Sequence, residues 1–213
     1  MGKKSRRSKH VASGGSRSGK IVYTGQPNTA IPRDVKYVRI DPSVKVIAAE
    51  AFKGCKQLEV VELCEGLEII GPGEFYGCIS LKCIKVPSTV KVIGSTAFSG
   101  CEQLEEVELR EGLGQIGASA FRGCKSVNRF SKVPSTVKEI GSHAFYCCDQ
   151  LQEVEFCGGL ERIGKEAFRE CKSLKRAKIP STVKMIGNSA FSGCDQLAEV
   201  ELCEGLEQIG FNA

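Results

Sequence analysis

The sequence is short of the residues that most enzyme chemistry needs. It has only two histidines in 213 residues. One of them, His10, falls in a stretch of Ser, Gly and basic residues, which leaves His143 as the single histidine of the patterned part. No nucleophile–base pair, carboxylate dyad or phosphate-cradling glycine loop can be assembled from its motifs. That argues against an enzyme and implies no cofactor. No apolar run approaches the roughly 18 residues that a membrane-spanning helix requires. The N-terminus is charged from its third residue and lacks an apolar stretch, so no secretory signal is expected. Met1-Gly2 opens like a lipidation site, yet Arg6 stands where myristoylation requires Ser or Thr.

Acidic residues are absent from the first 20 positions, which carry +7 of a chain whose net charge is +5. The remainder therefore sums to −2, and the basic isoelectric point belongs to the arm. Residues 1–20 cannot bury enough apolar surface to offset the entropy of ordering, which predicts a disordered arm. Within it Lys3, Lys4, Arg6, Arg7 and Lys9 read as a nuclear-localisation or nucleic-acid-binding patch. A solubilising tail with no specific partner is the alternative. The expected location is the cytoplasm, or the nucleus if the patch is recognised there.

From about residue 35 the chain repeats itself. Phe52, Phe75, Phe98, Phe121, Phe145, Phe168 and Phe191 recur every 23 residues, with a single spacing of 24. A cysteine follows three residues after each. The unit reads A-F-x-G-C-x-x-L-x-x-V-x-L, four residues, then V/L-x-x-I-G. Its V-x-L segment alternates with period two and is long enough only for a short strand. Eight such strands are expected, near Val38, Val61, Ile84, Val107, Phe130, Val154, Ala177 and Val200. The glycine after each Ile, such as Gly94 and Gly117, reads as a turn with positive φ. The small residues before each Phe, such as Ser95-Thr96-Ala97, suggest one helical turn. A lone coil of this size buries too little to fold, so neighbours must stack into a solenoid of about eight coils with parallel strands.

The units A-F-S-G-C-E-Q-L-E-E-V-E-L and K-V-P-S-T-V-K-V-I-G-S-T-A-F resemble the BspA-type leucine-rich repeat, over roughly residues 35–213. The resemblance implies an α/β-type, β-rich, right-handed solenoid used for protein recognition. Members of that family include surface adhesins, so a fragment of an adhesin lacking its signal is one further reading. The motif positions are scaffold positions, and no functional residue carries over.

Twelve cysteines suggest a disulfide or zinc framework until they are aligned. Seven share one inward column, and Cys64, Cys157 and Cys203 share another. No C-x₂₋₄-C knuckle exists, so no metal site is expected and the thiols read as small buried hydrophobes. The charges are ordered too. One outward column runs Arg39, Glu62, Lys85, Glu108, Lys132, Glu155, Lys178, Glu201, and a second runs Lys45, Glu68, Lys91, Gly114, Lys138, Glu161, Lys184, Glu207. Odd and even coils differ in sign, which makes the full repeating unit about 46 residues. Such ladders favour register more than they add stability, and their alternation cancels any long-range field. Nucleic acid would therefore have only the basic arm to bind.

Two departures from the pattern mark candidate sites. Tyr37, Val60 and Cys83 give way to Glu106, Arg129 and Glu153 in one outward column; Val46, Ile69 and Val92 give way to Gln115, Glu139 and Arg162 in another. Two apolar stripes on the first three coils read as a protein-binding patch, unless Ile21-Val22-Tyr23 or Ile31, in a linker or cap over 21–34, folds across them. The second departure is the 24-residue spacing, where Ser131 is the extra residue and predicts a bulge, read either as a recognition site or, preferably, as a harmless insertion tolerated after duplication. Beside it, Cys147 replaces the usual glycine near Tyr146 and His143. Ile209-Gly210-Phe211-Asn212-Ala213 ends in mid-coil, which suggests an exposed core edge, end-to-end self-association, or a fragment of a longer array. A non-enzymatic protein-interaction scaffold is the reading these features favour.

Overall fold

The structure, a computed structural model, describes residues 19–26, 30–202 and 204–213. The arm residues Lys3, Lys4, Arg6, Arg7 and Lys9, and Cys203 of the second cysteine column, lie outside the described residues. The chain forms a parallel β-solenoid. Its strands are β1 (Lys20–Tyr23), β2 (Tyr37–Ile40), β3 (Val60–Glu62), β4 (Ile69–Ile70), β5 (Cys83–Lys85), β6 (Val92–Ile93), β7 (Glu106–Glu108) and β8 (Gln115–Ile116). There follow β9 (Arg129–Phe130), β10 (Glu139–Ile140), β11 (Glu153–Glu155), β12 (Arg162–Ile163), β13 (Arg176–Ile179), β14 (Met185–Ile186), β15 (Glu199–Leu202) and β16 (Gln208–Ile209).

The expected V-x-L strands all form. They pair parallel as a six-stranded sheet, β1-β2-β3-β5-β7-β9, and a three-stranded sheet, β11-β13-β15. A second ladder, unforeseen, runs β16-β14-β12-β10-β8-β6-β4 through the residues before each Ile-Gly. Each of its strands has two residues, and in all but β16 the second is buried. That is too short for any alternation to be visible in sequence.

No helix occurs among the described residues. The segment before each Phe makes tight turns instead, with Ala97 N–H donating to Gly94 O at 3.3 Å and Ser99 N–H to Thr96 O at 3.1 Å. Thr96 at φ +56 breaks any helical continuation, and the Phe98 amide donates to Ala120 O of the next coil at 2.8 Å. Hydrogen bonding along the stack replaces hydrogen bonding within the segment.

The column of phenylalanines forms the centre of the core. Consecutive rings from Phe52 to Phe191 stack 5.0 to 5.3 Å apart and within 11° of parallel. Beside them the thiols of Cys78, Cys101, Cys124, Cys148, Cys171 and Cys194 donate to phenylalanine carbonyls of the preceding coil at 3.1 to 3.2 Å. Burial pushes the thiols of Cys78 and Cys194 up to about 12 and those of Cys101, Cys124 and Cys171 well above the ordinary range. These thiols are packing groups, inert as nucleophiles.

The glycines after each Ile do not have positive φ, contrary to the turn expected of them. They are small because backbones meet there. A Cβ on Gly117 would lie 2.7 Å from the Gly94 carbonyl carbon and 2.7 Å from Ser95 N.

Candidate interaction surface

The parallel register lines up the two apolar columns as the sequence suggested. Tyr37 pairs with Val60, Val60 with Cys83, and Cys83 with Glu106, so the first stripe crosses β2, β3 and β5 and ends at an acid. Val46 bridges to Ile69, Ile69 pairs with Val92 and Val92 with Gln115. The two stripes lie on two different sheets. A bend at 63–68 separates β3 from β4, so the first stripe belongs to the long-strand sheet and the second to the two-residue ladder.

Val46 is 50% exposed, and Val60 and Ile69 are each 38% exposed. Tyr37, Cys83 and Val92 are half-buried. Among the described residues, 19–26 do not fold over either stripe. Instead β1 adds to the sheet edge in register with β2, Lys20 opposite Tyr37 and Val22 opposite Arg39. Lys20, assigned to the arm by its composition, is thus the first residue of a strand. Tyr23 seals the end of the core: it is buried, packs edge-on against Phe52 at 5.2 Å, and its hydroxyl accepts from Ala48 N–H at 3.1 Å. Residues 19–26 thus cap the end of the stack rather than its faces. The Lys20 ammonium lies 5.1 Å from the Tyr37 ring centroid and extends the first stripe with a cation.

The charge ladders are present on both sheets. Lys85 meets Glu108 at 3.4 Å, Lys132 meets Glu155 at 2.6 Å and Lys178 meets Glu201 at 2.8 Å. On the second column Lys45 meets Glu68 and Lys138 meets Glu161, both at 3.5 Å. All are exposed pairs between adjacent coils, which set register and contribute little individually.

The extra residue disrupts the sheet where expected. β9 is cut to two residues, and no strand pairing joins it to β11. Phe130 is half-buried with its ring edge-on to Phe121 and Phe145, at 6.1 and 5.0 Å. The nearby departure at Cys147 is a backbone one: Cys147 holds φ +57, the conformation of the glycines it replaces. His143 Nε2 lies 3.4 Å from Glu166, which also meets Lys165 and Arg169 at 3.4 Å. Burial alone would raise the Glu166 carboxyl, but Lys165, His143 and Arg169 outweigh it and hold it below the usual carboxylate range. The Glu166 carboxylate is paired on every side within this cluster, and no three His, Cys, Asp or Glu among the described residues converge as a metal site.

One residue escaped the sequence reading. Glu74 is fully buried, and neither carboxyl oxygen makes a well-formed hydrogen bond. Burial pushes its pKa up to about 8, offset only in part by the neighbouring Gly71 amide. The signal was available, because Glu74 stands where Ala51, Ala97, Ala120, Ala144, Ala167 and Ala190 precede their phenylalanines.

Comparison with known proteins agrees with this architecture. The pattern described as a BspA type leucine rich repeat region matches residues 32–132 and 129–213, in six copies. A leucine-rich repeat protein of T. pallidum, TpLRR, is similar in structure with a TM-score of 0.67 and 27% identity. That match covers 90% of this chain and 78% of the other. A leucine-rich repeat protein from Eubacterium ventriosum matches with a TM-score of 0.61 and 22% identity, over 79% of this chain and 49% of that one. The second likeness is one of fold. No curated protein matches the sequence.

Proposed function

The chain belongs to the BspA-type leucine-rich repeat family, and from that premise we propose that it is a non-enzymatic scaffold that contacts protein partners through its first three coils. The contact residues are Tyr37, Val60 and Cys83 on one sheet and Val46, Ile69 and Val92 on the other. The observation that carries this reading is the exposure of Val46, Val60 and Ile69, over which no described segment folds. A solenoid face needs no such apolar residues for its own stability, since the later coils fill the same columns with Glu106, Arg129, Gln115 and Glu139. Exposed apolar surface of this kind is where proteins associate.

The working location is inside the cell. A second reading rests on Lys3, Lys4, Arg6, Arg7 and Lys9, which would bring nucleic acid or nuclear import to the same scaffold. Titration with duplex DNA at increasing salt separates the two. Binding through the arm falls steeply with salt and disappears when these five residues become Gln. Binding of a protein through the stripes survives that change and is lost in Val60→Glu and Ile69→Glu, each checked for an unchanged melting temperature.

A further inference from the structure

The interruption of the long-strand sheet offers a binding site distinct from the apolar stripes. In the regular coils the amides at the start of each strand donate to the coil before. Glu105 and Glu106 both donate to Lys82 O, at 2.8 and 3.2 Å, and Asn128 and Arg129 both donate to Glu105 O, at 3.2 and 3.1 Å. Gln152 and Glu153 occupy the same positions one coil later, and neither amide donates to Asn128 O. The two-residue ladder runs through these same coils unbroken, β8-β10-β12, so the gap is local.

Its cause is Ser131. The Ser131 amide donates to Val107 O at 3.0 Å, and its hydroxyl accepts from Leu109 N–H at 2.7 Å, so the extra residue ties the strand back to β7. Pairing with the following coil resumes only at Val133, whose amide donates to Glu155 O at 2.8 Å. Above the gap lies an open cleft of about 630 Å³, lined by Asn128, Arg129 and Phe130 on one side and by Gln152 and Glu153 on the other.

Unpaired backbone groups at a sheet break are the partners an extended peptide satisfies. The charge at the cleft is also one-sided. Arg129 is held by Glu106 at 3.4 Å, and Glu108 by Lys85 and Arg110 at 3.4 and 3.0 Å, whereas Glu153 makes no ion pair within 4 Å among the described residues, its cross-strand neighbour Arg176 being held by Glu199 at 3.5 Å. We propose that this cleft binds an extended segment of a partner protein, which hydrogen-bonds to the Asn128 carbonyl and to the Gln152 and Glu153 amides and sets a Lys or Arg against Glu153.

The test is fluorescence anisotropy of a labelled hexapeptide of alternating Thr and Lys, chosen to be extended and basic, added to the full chain. Deleting Ser131 restores the 23-residue spacing and lets β9 pair with β11, so the fold is kept while the cleft closes. The expected result is saturable binding, weakened about tenfold or more by the deletion, as loss of one or two backbone hydrogen bonds implies. The same weakening is expected for a peptide N-methylated at alternate amides and for Glu153→Lys, which leaves the core untouched. No binding to the parent chain, equal binding to the deletion variant, or undiminished binding of the N-methylated peptide overturns the proposal. A gain of tenfold when Lys3, Lys4, Arg6, Arg7 and Lys9 become Gln also overturns it, because the chain's own arm would then be the occupant. None of these outcomes bears on the stripes, which lie at the other end of the ladder.

Discussion

A carboxylic acid in a column of alanines is the clearest mismatch between a residue and its surroundings. Glu74 has a native pKa of about 8, above an unfolded value near 4.3. The native state therefore binds more protons than the unfolded chain between those limits. Glu74 weakens the protein least at acid pH; stability falls as pH rises through the window and levels off above about pH 8. The loss is on the order of 3–5 kcal/mol across the window. Glu65, Glu111 and Glu166, whose carboxyls are held below the usual range, act in the opposite sense, losing stability on acidification. Glu74→Ala isolates the first effect. Its melting temperature is expected to exceed that of the parent at pH 8, with the difference shrinking toward pH 4.5. An equal difference at both pH values would mean that packing, not ionisation, is responsible.

The turn preceding each cysteine shows what one element demands of its sequence. Gly54, Gly77, Gly100, Gly123 and Gly193 hold positive φ there, and Cys147 at +57° and Glu170 at +62° hold it without the freedom of glycine. An L-residue in that region costs about 1–2 kcal/mol, against about 0.5–1 kcal/mol for the added freedom of an unfolded glycine. Cys147→Gly and Glu170→Gly are each expected to stabilise by about 0.5–1 kcal/mol in urea unfolding. The glycines after each Ile differ in kind. Gly117→Ala drives a methyl into backbone at 2.7 Å and is expected to cost roughly 3 kcal/mol or more. Gly100→Ala, whose nearest neighbour would be 3.7 Å away, pays only the conformational cost of about 1–2 kcal/mol. Similar losses for both would refute this distinction. The phenylalanine and cysteine columns and the V-x-L strands were legible because their period repeats seven times or more in side-chain chemistry. The second ladder was not, because two residues carry no alternation. The role of the Ile-Gly glycines was misread because a close approach between coils and a positive φ within one coil select the same residue. Glu74 is one carboxylate among 25 acidic residues, and only its column shows that it is buried.

Across the whole molecule the two ends differ. Tyr23 and β1 close the first coil, whereas every residue of β15 is exposed, and Val200, Leu202, Ile209 and Phe211 are exposed apolar groups at the other end. Charge ladders run along the whole stack, Lys45–Glu68 on the first coils included, whereas the apolar columns Tyr37-Val60-Cys83 and Val46-Ile69-Val92 are confined to coils one to three, and it is there that the contact surface is proposed. Photocrosslinking tests it most directly, with benzoylphenylalanine placed singly at Val60, Ile69, Glu161 and Lys184 of the full chain and irradiated in a cell lysate. The account predicts discrete protein adducts at 60 and 69, lost when the neighbouring stripe residue becomes Glu, and none at 161 and 184. No adducts at 60 and 69, or the same adducts at all four positions, would contradict it.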